Sequence, residues 1–548
     1  MRVLFILFCL FGLNLHAQQK YYFVAFKNKP NYKSQLSQPL SYISKKAVER
    51  RLKNRVPLNV NDIPPDSAYL EQIRKFPLMM YGNSRWLNGV VILTGYINII
   101  DTLEDLDFVS KVVYLGPQSP FIEEDQASNT ALDEQISILE QTFETKPLVN
   151  DTLFLGKSFK QINQLNARQL LLNNKNGKGV LIAVIDAGFK NADQLKALKP
   201  LFNEGRIFAT YDFVEKEEEV FDDDEHGLAV LSCMAAFEPG SIMGTAHKAN
   251  YILLRSENAA SEYLLEEYLW TLAAEYADSA GVDIINSSLG YTKHDDKKMG
   301  HKYSDLDGET TIITQAAEIA CSKGILVFVS AGNEGNETWK QLSTPGDAEH
   351  VLTVGAIDDL GVMANFSSTG PTADRRIKPD LVALGKSTSV LSASGKVYFG
   401  NGTSYACPVL AGTAAILMEL APNKSPQQIK DVMVLSGSNF YKPDKYLGSG
   451  IPDIELCSRI LCTRDDSLLD ARVLDDNNLY VLIHCKTDQK ITLLLSEPKE
   501  GELTKSTFSV KKGPNRLLVK GYKKRPGGMY HLSVQFPTKL SFIDLIKP

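Results

Sequence analysis

Hydrophobic residues in the central part of the chain occur in short uninterrupted runs instead of alternating with polar ones. Five such runs are separated by longer stretches with helical periodicity: 180–185 (VLIAVI), 251–255 (YILLR), 283–289 (DIINSSL), 325–330 (ILVFVS) and 351–356 (VLTVGA). Strands that are apolar on both faces are typical of a parallel sheet covered by helices on both sides. The pattern therefore predicts an α/β doubly wound domain, which we place at residues 154–462.

The patterns on either side of this domain are different. Residues 21–116 combine strand-like runs (YYFVAF, WLNGVVIL, VSKVVYL) with helical stretches near 44–55 and 68–75, which predicts a small α+β unit. Residues 117–153 are acidic and polar, as in QSPFIEEDQASNTALDEQ, and suit an exposed linker or a cleavable segment. Residues 463–548 show short apolar runs between turn residues, which predicts a small C-terminal β-sandwich.

The first residues have the features of an export signal. Arg2 supplies the positive charge, residues 3–13 are apolar, and Ala17 offers a small residue before the cleavage point. We expect residues 1–17 to be removed, so that the α+β unit and its linker span 18–153. No later run approaches the roughly 18 to 20 apolar residues that cross a bilayer. The expected location is secreted or cell-surface, with the periplasm as an alternative, and with no transmembrane segment in the mature chain.

Composition and charge exclude several other classes. The 548 residues are 44% hydrophobic and 23% charged, close to the average of globular proteins, so a disordered or fibrous chain is excluded. The net charge is −6, and no run of Lys and Arg could follow a phosphate backbone. We therefore expect no binding to nucleic acid.

The cysteines suggest few covalent links and no metal. Cys457 and Cys462 are the closest pair, and they are the first candidates for a disulfide in an exported chain. Cys233, Cys321 and Cys407 stand among small apolar residues and are expected to be buried thiols. There is no Cys-x-x-Cys spacing, adjacent His or run of oxygen ligands typical of a calcium loop. No metal or other cofactor is assigned.

A candidate nucleophile lies in residues 402–408 (GTSYACP), which precede the apolar run VLAGTAAILMEL. Glycine permits a tight turn, and a serine that opens a helix lies beside its free N–H groups and positive dipole end. The simpler interpretation is an ordinary Ser or Thr N-cap. Pro408 counts against it, because a proline inside a helix removes a hydrogen bond and needs local compensation. Ser404 is therefore the candidate nucleophile.

Three further residues could complete a catalytic site. His226 precedes Gly227, opens a helical stretch after an acidic run, and could act as the base. Asp186 ends the run VLIAVI, where the carboxyl ends of parallel strands form ligand crevices, and could orient the histidine. Asn333, in the sequence SAGNEG after the run ILVFVS, could donate to the oxyanion together with the backbone N–H of Ser404.

Together, the motifs VIDAG, HG, SAGNEG and GTSYACP, with Asp, His and Ser in that order, resemble those of the subtilase family over residues 158–461. The resemblance implies a seven-stranded parallel core and a serine endopeptidase that cuts polypeptides through an acyl-enzyme. The N-terminal unit resembles the propeptides of Bacteroidetes members, which implies a zymogen with an intramolecular inhibitor. The family's substrate-binding segments correspond to Ser287, Ser288, Leu289 and Gly290 and to Ser330, Ala331 and Gly332.

Two residues that differ from the family pattern, and the C-terminal region, leave alternative functions open. Ala187 and Leu228 stand where the family usually has Thr, so a catalytically silent subtilase fold that serves as a binding or adhesive protein is a second hypothesis. An esterase or lipase of the α/β-hydrolase type is excluded, because its nucleophile motif would be G-x-S-x-G and its residue order Ser, acid, His. The C-terminal region resembles sorting domains for type IX secretion, and an accessory β-domain is an equal alternative.

Overall fold

The computed structural model describes residues 18–30, 32–118, 154–473, 478–497, 501–520, 529–537 and 539–546. The predicted signal at 1–17 and almost all of the predicted linker lie outside the described residues.

The N-terminal unit is a four-stranded antiparallel sheet with helices on one face. Its strands are β1 (Lys20–Phe26), β2 (Met79–Ser84), β3 (Gly89–Thr94) and β4 (Val109–Pro117), in the order β2-β3-β1-β4. Its helices are α1 (Tyr32–Gln35), α2 (Lys45–Asn54), α3 (Ser67–Ile73) and α4 (Ile99–Glu104), with short 3-10 turns at Pro39–Ser41 and Val60–Asp62. Helices α3 and α4 pack on one face of the sheet, where Ile73 and Leu103 lie in one buried cluster with Val24 and Ile92. This is the α+β unit that the sequence predicts.

The central domain contains a seven-stranded parallel sheet in the order β13-β12-β11-β10-β5-β9-β6. These strands are β5 (Leu181–Asp186), β6 (Ile207–Asp212), β9 (Asn250–Arg255), β10 (Ile284–Ser287), β11 (Leu326–Ser330), β12 (Leu352–Ile357) and β13 (Leu381–Leu384). Two small antiparallel pairs are added, β7 (Phe237–Glu238) with β8 (Ile242–Met243) and β14 (Lys386–Leu391) with β15 (Val397–Asn401).

Helices cover both faces of this sheet. The helices are α5 (Phe159–Asn163), α6 (Arg168–Leu172), α7 (Lys199–Asn203), α8 (His226–Ala235), α9 (Leu264–Ala280), α10 (Ile312–Ser322), α11 (Thr403–Leu420), α12 (Pro426–Leu435) and α13 (Ile454–Cys462), with 3-10 turns at Gly156–Ser158 and Tyr303–Asp305. Ile182 and Val184 of β5 pack into the cluster that contains α8 and α11, whereas Ala183 and Ile185 pack into the cluster that contains α9 and α10. A strand that is apolar on both faces is thus buried on both faces.

Strand β5 marks the point where the chain reverses its direction across the sheet. Its neighbours are β9 on one side and β10 on the other, and the strands that follow β10 continue outward on that second side. Ligands bind at such switch points, beyond the carboxyl ends of the strands. The predicted doubly wound fold is confirmed, and it places Asp186 at the end of β5 at this crevice.

The C-terminal region consists of two antiparallel sheets. Its strands are β16 (Ser467–Val473), β17 (Asn478–Cys485), β18 (Gln489–Glu497), β19 (Gly501–Val510), β20 (Gly513–Lys520), β21 (Met529–Gln535) and β22 (Leu540–Ile546). The sheets have the orders β16-β17-β20 and β19-β18-β21-β22. Val481, Leu493 and Val534 belong to one buried cluster that draws on both sheets, which confirms the predicted sandwich.

The N-terminal unit packs on α9 through a buried network of charges. The carboxylate of Asp278 accepts hydrogen bonds from Arg50, from Arg51 at 2.8 Å and from Arg85 at 2.6 Å. Glu275, one turn earlier, accepts from the backbone N–H of Arg85 at 2.9 Å. Phe23 of β1 adds an apolar contact through its ring, 4.8 Å from that of Tyr268. The interface therefore joins buried ion pairs to an apolar core.

The expected disulfide between Cys457 and Cys462 is wrong. Both residues are free thiols in α13, where the thiol of Cys457 is buried and donates to Ser436 Oγ at 3.1 Å, while Cys462 is exposed. Positions five apart on a helix point to different faces, so closeness in sequence does not bring the sulfurs together. Cys233 and Cys407 are free and buried, as expected, and Cys321 is free and half-buried.

Within the described ranges, α11 is long and apolar enough by composition alone to cross a membrane. It is instead the central helix of the domain, and most of its residues are buried.

Candidate active site

Asp186 and His226 are joined at the carboxyl edge of the sheet. Asp186 is fully buried at the end of β5, and the Nδ1–H of His226 donates to its Oδ1 at 2.6 Å. The N–H of Ala187 donates to the same oxygen at 2.9 Å. His226 is the first residue of α8, and its own backbone N–H donates to Asp224 Oδ1 at 2.7 Å. The bond at Nδ1 fixes the tautomer and leaves Nε2 as the proton acceptor.

Gly227 allows this pairing. A Cβ atom at this position would lie 2.3 Å from the carbonyl oxygen of Gly188 and 2.9 Å from Cβ of Asp186. The start of α8 can therefore approach the end of β5 only without a side chain at 227. The motif His-Gly is explained by this close approach.

Electrostatics favour the protonated form of His226. Burial lowers the pKa of the imidazole, but the charge of Asp186 and the hydrogen bond to it raise the pKa by more than burial lowers it. The net pKa of His226 is about 9. A carboxylate beside a histidine stabilises the imidazolium in this way, and the imidazolium is the form that appears when a base accepts a proton. The arrangement suits proton transfer from a nucleophile.

Ser404 lies in the first turn of α11, where a proline changes the hydrogen bonding. Pro408 has no N–H, so the carbonyl of Ser404, four residues earlier, lacks its usual helical donor. Ser288 replaces that donor, because its hydroxyl donates to the carbonyl oxygen of Ser404 at 2.8 Å. The segment after β10 is therefore tied directly to the residue that carries the candidate nucleophile.

We expect Ser288→Ala to lower the stability of the protein. The substitution leaves the buried carbonyl of Ser404 without a donor, which costs about 1–3 kcal/mol of unfolding free energy. Ser256→Ala is the matched control, since the Ser256 hydroxyl is buried without a hydrogen-bond partner among the described residues. Thermal unfolding of both variants in the Ser404→Ala background checks this. Equal melting temperatures for the two variants would contradict the role assigned to Ser288.

The hydroxyl of Ser404 faces the same cleft as His226 but is hydrogen-bonded elsewhere. Its Oγ donates to the carbonyl oxygen of Ser288 at 3.3 Å, and no hydrogen bond to His226 is formed among the described side chains. Hydrogen bonds between catalytic groups are often long before substrate binds. Rotation about χ1 is the movement that would turn the Oγ from Ser288 towards His226.

Asn333 is held in a defined orientation beside Ser404. Its side-chain oxygen accepts hydrogen bonds from the N–H of Thr403 at 2.9 Å and from its hydroxyl at 3.0 Å. The amide NH₂ group is thereby left to donate into the cleft that Asn333 lines. Gly332 before it has a φ of 102°, and a Cβ there would lie 2.3 Å from Ser343 Oγ. Glycine is therefore required at that position of the loop.

These residues border an open cleft of about 490 Å³. It contains His226, Asn333 and Ser404 together with Ser288, Leu289, Gly290, Ser330 and Gly332 of the predicted substrate-binding segments. Ser287 and Ala331 are the exceptions, since both are buried behind the cleft wall. The strand ends at Ser287, whose hydroxyl accepts from Trp270 Nε1 at 2.8 Å, so its side chain points away from the cleft.

The acidic lining of the cleft has no signal in the sequence. Among the residues that the structure describes, no Lys or Arg lines the cleft, whereas five carboxylate residues do: Asp224, Glu257, Glu262, Asp295 and Glu334. Burial raises the pKa of Glu257 to about 7 and that of Glu262 to about 8. These residues come from loops that are distant in sequence, and only the fold brings them together.

Comparison with known proteins assigns both predicted units. A profile of the subtilase family matches residues 177–450, and one of the peptidase S8 propeptide domain of Bacteroidota matches residues 21–131. The epidermin leader peptide processing serine protease of Staphylococcus aureus superposes with a TM-score of 0.54 over 82% of this chain and 100% of its own, at 17% identity, which supports the fold.

Relatives in sequence cover the central domain. Serine protease AprX of Bacillus subtilis is 31% identical over 299 residues, which are 49% of this chain and 64% of the relative. Subtilisin E of the same species is 26% identical over 302 residues, which are 54% of this chain and 70% of the relative. This chain thus spans slightly less than two thirds of the length of AprX. The chain belongs to the subtilase family and carries a propeptide domain of the Bacteroidota type.

Proposed function

We propose that this protein is an exported serine endopeptidase that is made as a zymogen, with Asp186, His226 and Ser404 as its catalytic triad. The observation that carries the proposal is the 2.6 Å hydrogen bond between His226 and the buried Asp186, in a cleft that also contains Ser404 at the start of a buried helix. A neutral imidazole that a buried carboxylate orients, beside a serine, is the arrangement that acyl transfer requires.

Each group has defined roles in the proposed reaction. Ser404 Oγ attacks the carbonyl carbon of the scissile peptide bond while His226 Nε2 takes its proton. The oxyanion accepts hydrogen bonds from the amide of Asn333 and the backbone N–H of Ser404. His226 then gives the proton to the leaving amine, which leaves an acyl group on Ser404, and water releases this group by the same steps in reverse.

Covalent labelling separates this proposal from a silent binding protein. A fluorophosphonate probe reacts with a serine only when its base and oxyanion donors are in place. We expect peptide mapping of the labelled, purified chain to find the probe on Ser404, and Ser404→Ala to remain unlabelled. A folded wild-type chain that takes up no probe would favour the binding hypothesis that Ala187 and Leu228 raise.

We expect Asn333→Ala to lower kcat by about 10²–10³-fold with little change in KM. The reason is that the amide donates to a charge that exists only in the transition state. Thr403→Val is a comparison variant, because it removes the hydroxyl that orients Asn333 while keeping the amide. The decrease in kcat of Thr403→Val should be smaller than that of Asn333→Ala. A wild-type kcat for Asn333→Ala in a peptide assay would exclude Asn333 as the oxyanion donor.

The acidic lining of the cleft leads us to propose a preference for basic peptide segments. Ionised carboxylates attract Lys and Arg and repel Asp and Glu, most strongly at low salt. We expect kcat/KM for quenched peptides with Lys or Arg around the scissile bond to exceed that for Asp or Glu peptides by about tenfold or more, and the ratio to fall with added salt. Asp295→Asn, which removes an exposed carboxylate of the lining, should reduce the ratio, and equal rates for basic and acidic peptides at low salt would contradict the proposal.

The position of the N-terminal unit supports zymogen processing. Its last described residue before the gap, Gln118, lies beside Asn258, Ala260 and Ser261, and these three residues also line the catalytic cleft. Gln118 therefore borders a pocket that adjoins the catalytic cleft. We propose that the segment that continues from Gln118 is the first substrate.

A further inference from the structure

Three potential metal ligands meet away from the catalytic cleft, between helix α9 and the loop that follows β10. Glu267 projects from α9, and His294 and His301 come from residues 291–302. The Nε2–H of His301 donates to Glu267 Oε1 at 2.5 Å, and Nε2 of His294 lies 3.6 Å from the same oxygen. One nitrogen or oxygen atom from each of the three residues lies within 4.8 Å of those from the other two.

The ring nitrogens of His294 are not satisfied by hydrogen bonds within the described part of the chain. Its side chain is 0% exposed, and neither ring nitrogen has a hydrogen-bond partner among the described residues. A buried polar group left unpaired costs stability, so such groups are rare and indicate an unseen partner such as a water or an ion. Glu267 Oε1, at 3.6 Å from its Nε2, lies just beyond hydrogen-bond distance.

We propose that Glu267, His294 and His301 bind a divalent transition-metal ion of the Zn²⁺ type. Two imidazole nitrogens and one carboxylate oxygen are a common ligand set for this ion, with bonds of about 2.0–2.2 Å. Ligand atoms around a tetrahedral ion then lie about 3.4 Å apart. The distance from Glu267 Oε1 to His294 Nε2 is already close to this value, and the distance to His301 Nε2 would lengthen by about 1 Å once the ion replaces the shared proton.

The surroundings of the three residues suit such a site. Glu267 Oε2 accepts from the backbone N–H of Ile313 at 3.3 Å, which orients the carboxylate from behind. A cavity of about 430 Å³ borders Glu267 and His301 and has room for a water molecule as fourth ligand. Calcium is a poor fit, because it prefers six to eight oxygen ligands and does not favour imidazole.

The position of the site assigns the ion a structural role. The loop 291–302 directly follows the substrate-binding residues Ser288, Leu289 and Gly290, and an ion would fasten this loop to α9. Helix α9 also holds Ser287 through the side chain of Trp270. Tyr114 of the N-terminal unit borders the same cavity, so the precursor partly covers the site. The ion would stabilise the folded chain through mass action.

Zinc titration of the full chain in the Ser404→Ala background tests the proposal without autolysis. We expect isothermal titration calorimetry with Zn²⁺ to show one ion bound per chain, and the melting temperature to rise with Zn²⁺ but not with Ca²⁺. His294→Phe keeps an aromatic ring against Tyr291 and removes both unpaired nitrogens, and Glu267→Gln keeps the shape of the carboxylate. Each variant should weaken zinc binding about 100-fold or more, since even outer partners of a metal contribute 10–100-fold.

His350→Asn is the matched control. His350 is an exposed histidine whose Nδ1 pairs with Glu318 at 2.6 Å, so its loss removes a surface ligand without touching the proposed site. Zinc affinity should be unchanged in this variant. The proposal is overturned if the Ser404→Ala chain binds no stoichiometric Zn²⁺, or if His294→Phe and Glu267→Gln bind it as tightly as their parent. If His294→Phe does not fold, Glu267→Gln decides alone.

Discussion

Replacing Ser404 with alanine is expected to yield a protein that retains its N-terminal unit covalently and has lost about 10⁶-fold in turnover. The loss follows from removal of the nucleophile of acyl transfer, and its size is that of nucleophile replacement in subtilisin. The substitution removes one hydroxyl, whose hydrogen bond to the carbonyl of Ser288 is long and weak at 3.3 Å. The fold should therefore be preserved.

The retained unit follows from where the cut must occur. The predicted linker is polar, and it leaves the N-terminal unit at Gln118, beside residues that line the cleft. A segment attached so close to its own catalytic site meets it at a high effective concentration. Without Ser404, this first cleavage has no nucleophile, and the uncut precursor accumulates.

Intact-mass measurement of secreted wild type and variant, from a host without other extracellular proteases, decides the matter. Ser458→Ala is a suitable control, because Ser458 is half-buried on α13 and its hydroxyl donates to the carbonyl of Glu455 in the same helix. It should be processed like the wild type. Equal masses for wild type and Ser404→Ala, with the N-terminal unit absent from both, would mean that another enzyme makes the cut.

Asp186→Asn is expected to lower kcat by about 10⁴-fold and to move the pH profile. His226 is active as a base only when neutral, so activity is lost as the pH falls through its pKa, which the charge of Asp186 helps to raise to about 9 against the opposing effect of burial. Asparagine removes that charge, and the pKa falls. The acid limb of kcat/KM should therefore move to lower pH, measured with a quenched peptide between pH 5 and 10.

Asp224→Asn is the matched comparison for this experiment. Asp224 also raises the pKa of His226 through its charge, but it bonds the backbone N–H of His226 and not the ring. Its replacement should shift the profile slightly and leave kcat within about tenfold, since the tautomer of His226 is unchanged. Equal losses in the two variants would contradict a special role for Asp186.

The sequence predicts the fold well where its strands are buried on both faces. The five apolar runs correspond to β5, β9, β10, β11 and β12. The two edge strands, β6 (IFATYD) and β13 (LVAL), were not identified individually. Strand β6 is half exposed and mixed in character, so it lacks the continuous apolarity of the central strands. Strand β13 is an isolated apolar run of four residues, and so short a run does not distinguish a strand from a segment of a buried helix.

The candidate triad could be proposed from the sequence because each of its members lies where an apolar run meets a turn, and such boundaries can be recognised in the sequence. Other parts of the site have no such signal. The donor role of Ser288 depends on the carbonyl of Ser404, which is 116 positions away. The cluster of Glu267, His294 and His301 lacks the regular ligand spacing of sequence motifs, because two of its members come from an irregular loop.

The buried ion pairs at Asp278 affect how readily the N-terminal unit could rebind after its release. While the unit is bound, three guanidinium groups neutralise the carboxylate of Asp278, and backbone N–H groups satisfy Glu275. In the proposed maturation, departure of the unit returns both carboxylates to water and leaves helix α9 with an uncompensated acidic face. The released unit carries the matching arginines, so its rebinding in trans is governed by ionic strength. Dilution into a saline environment thus makes maturation hard to reverse.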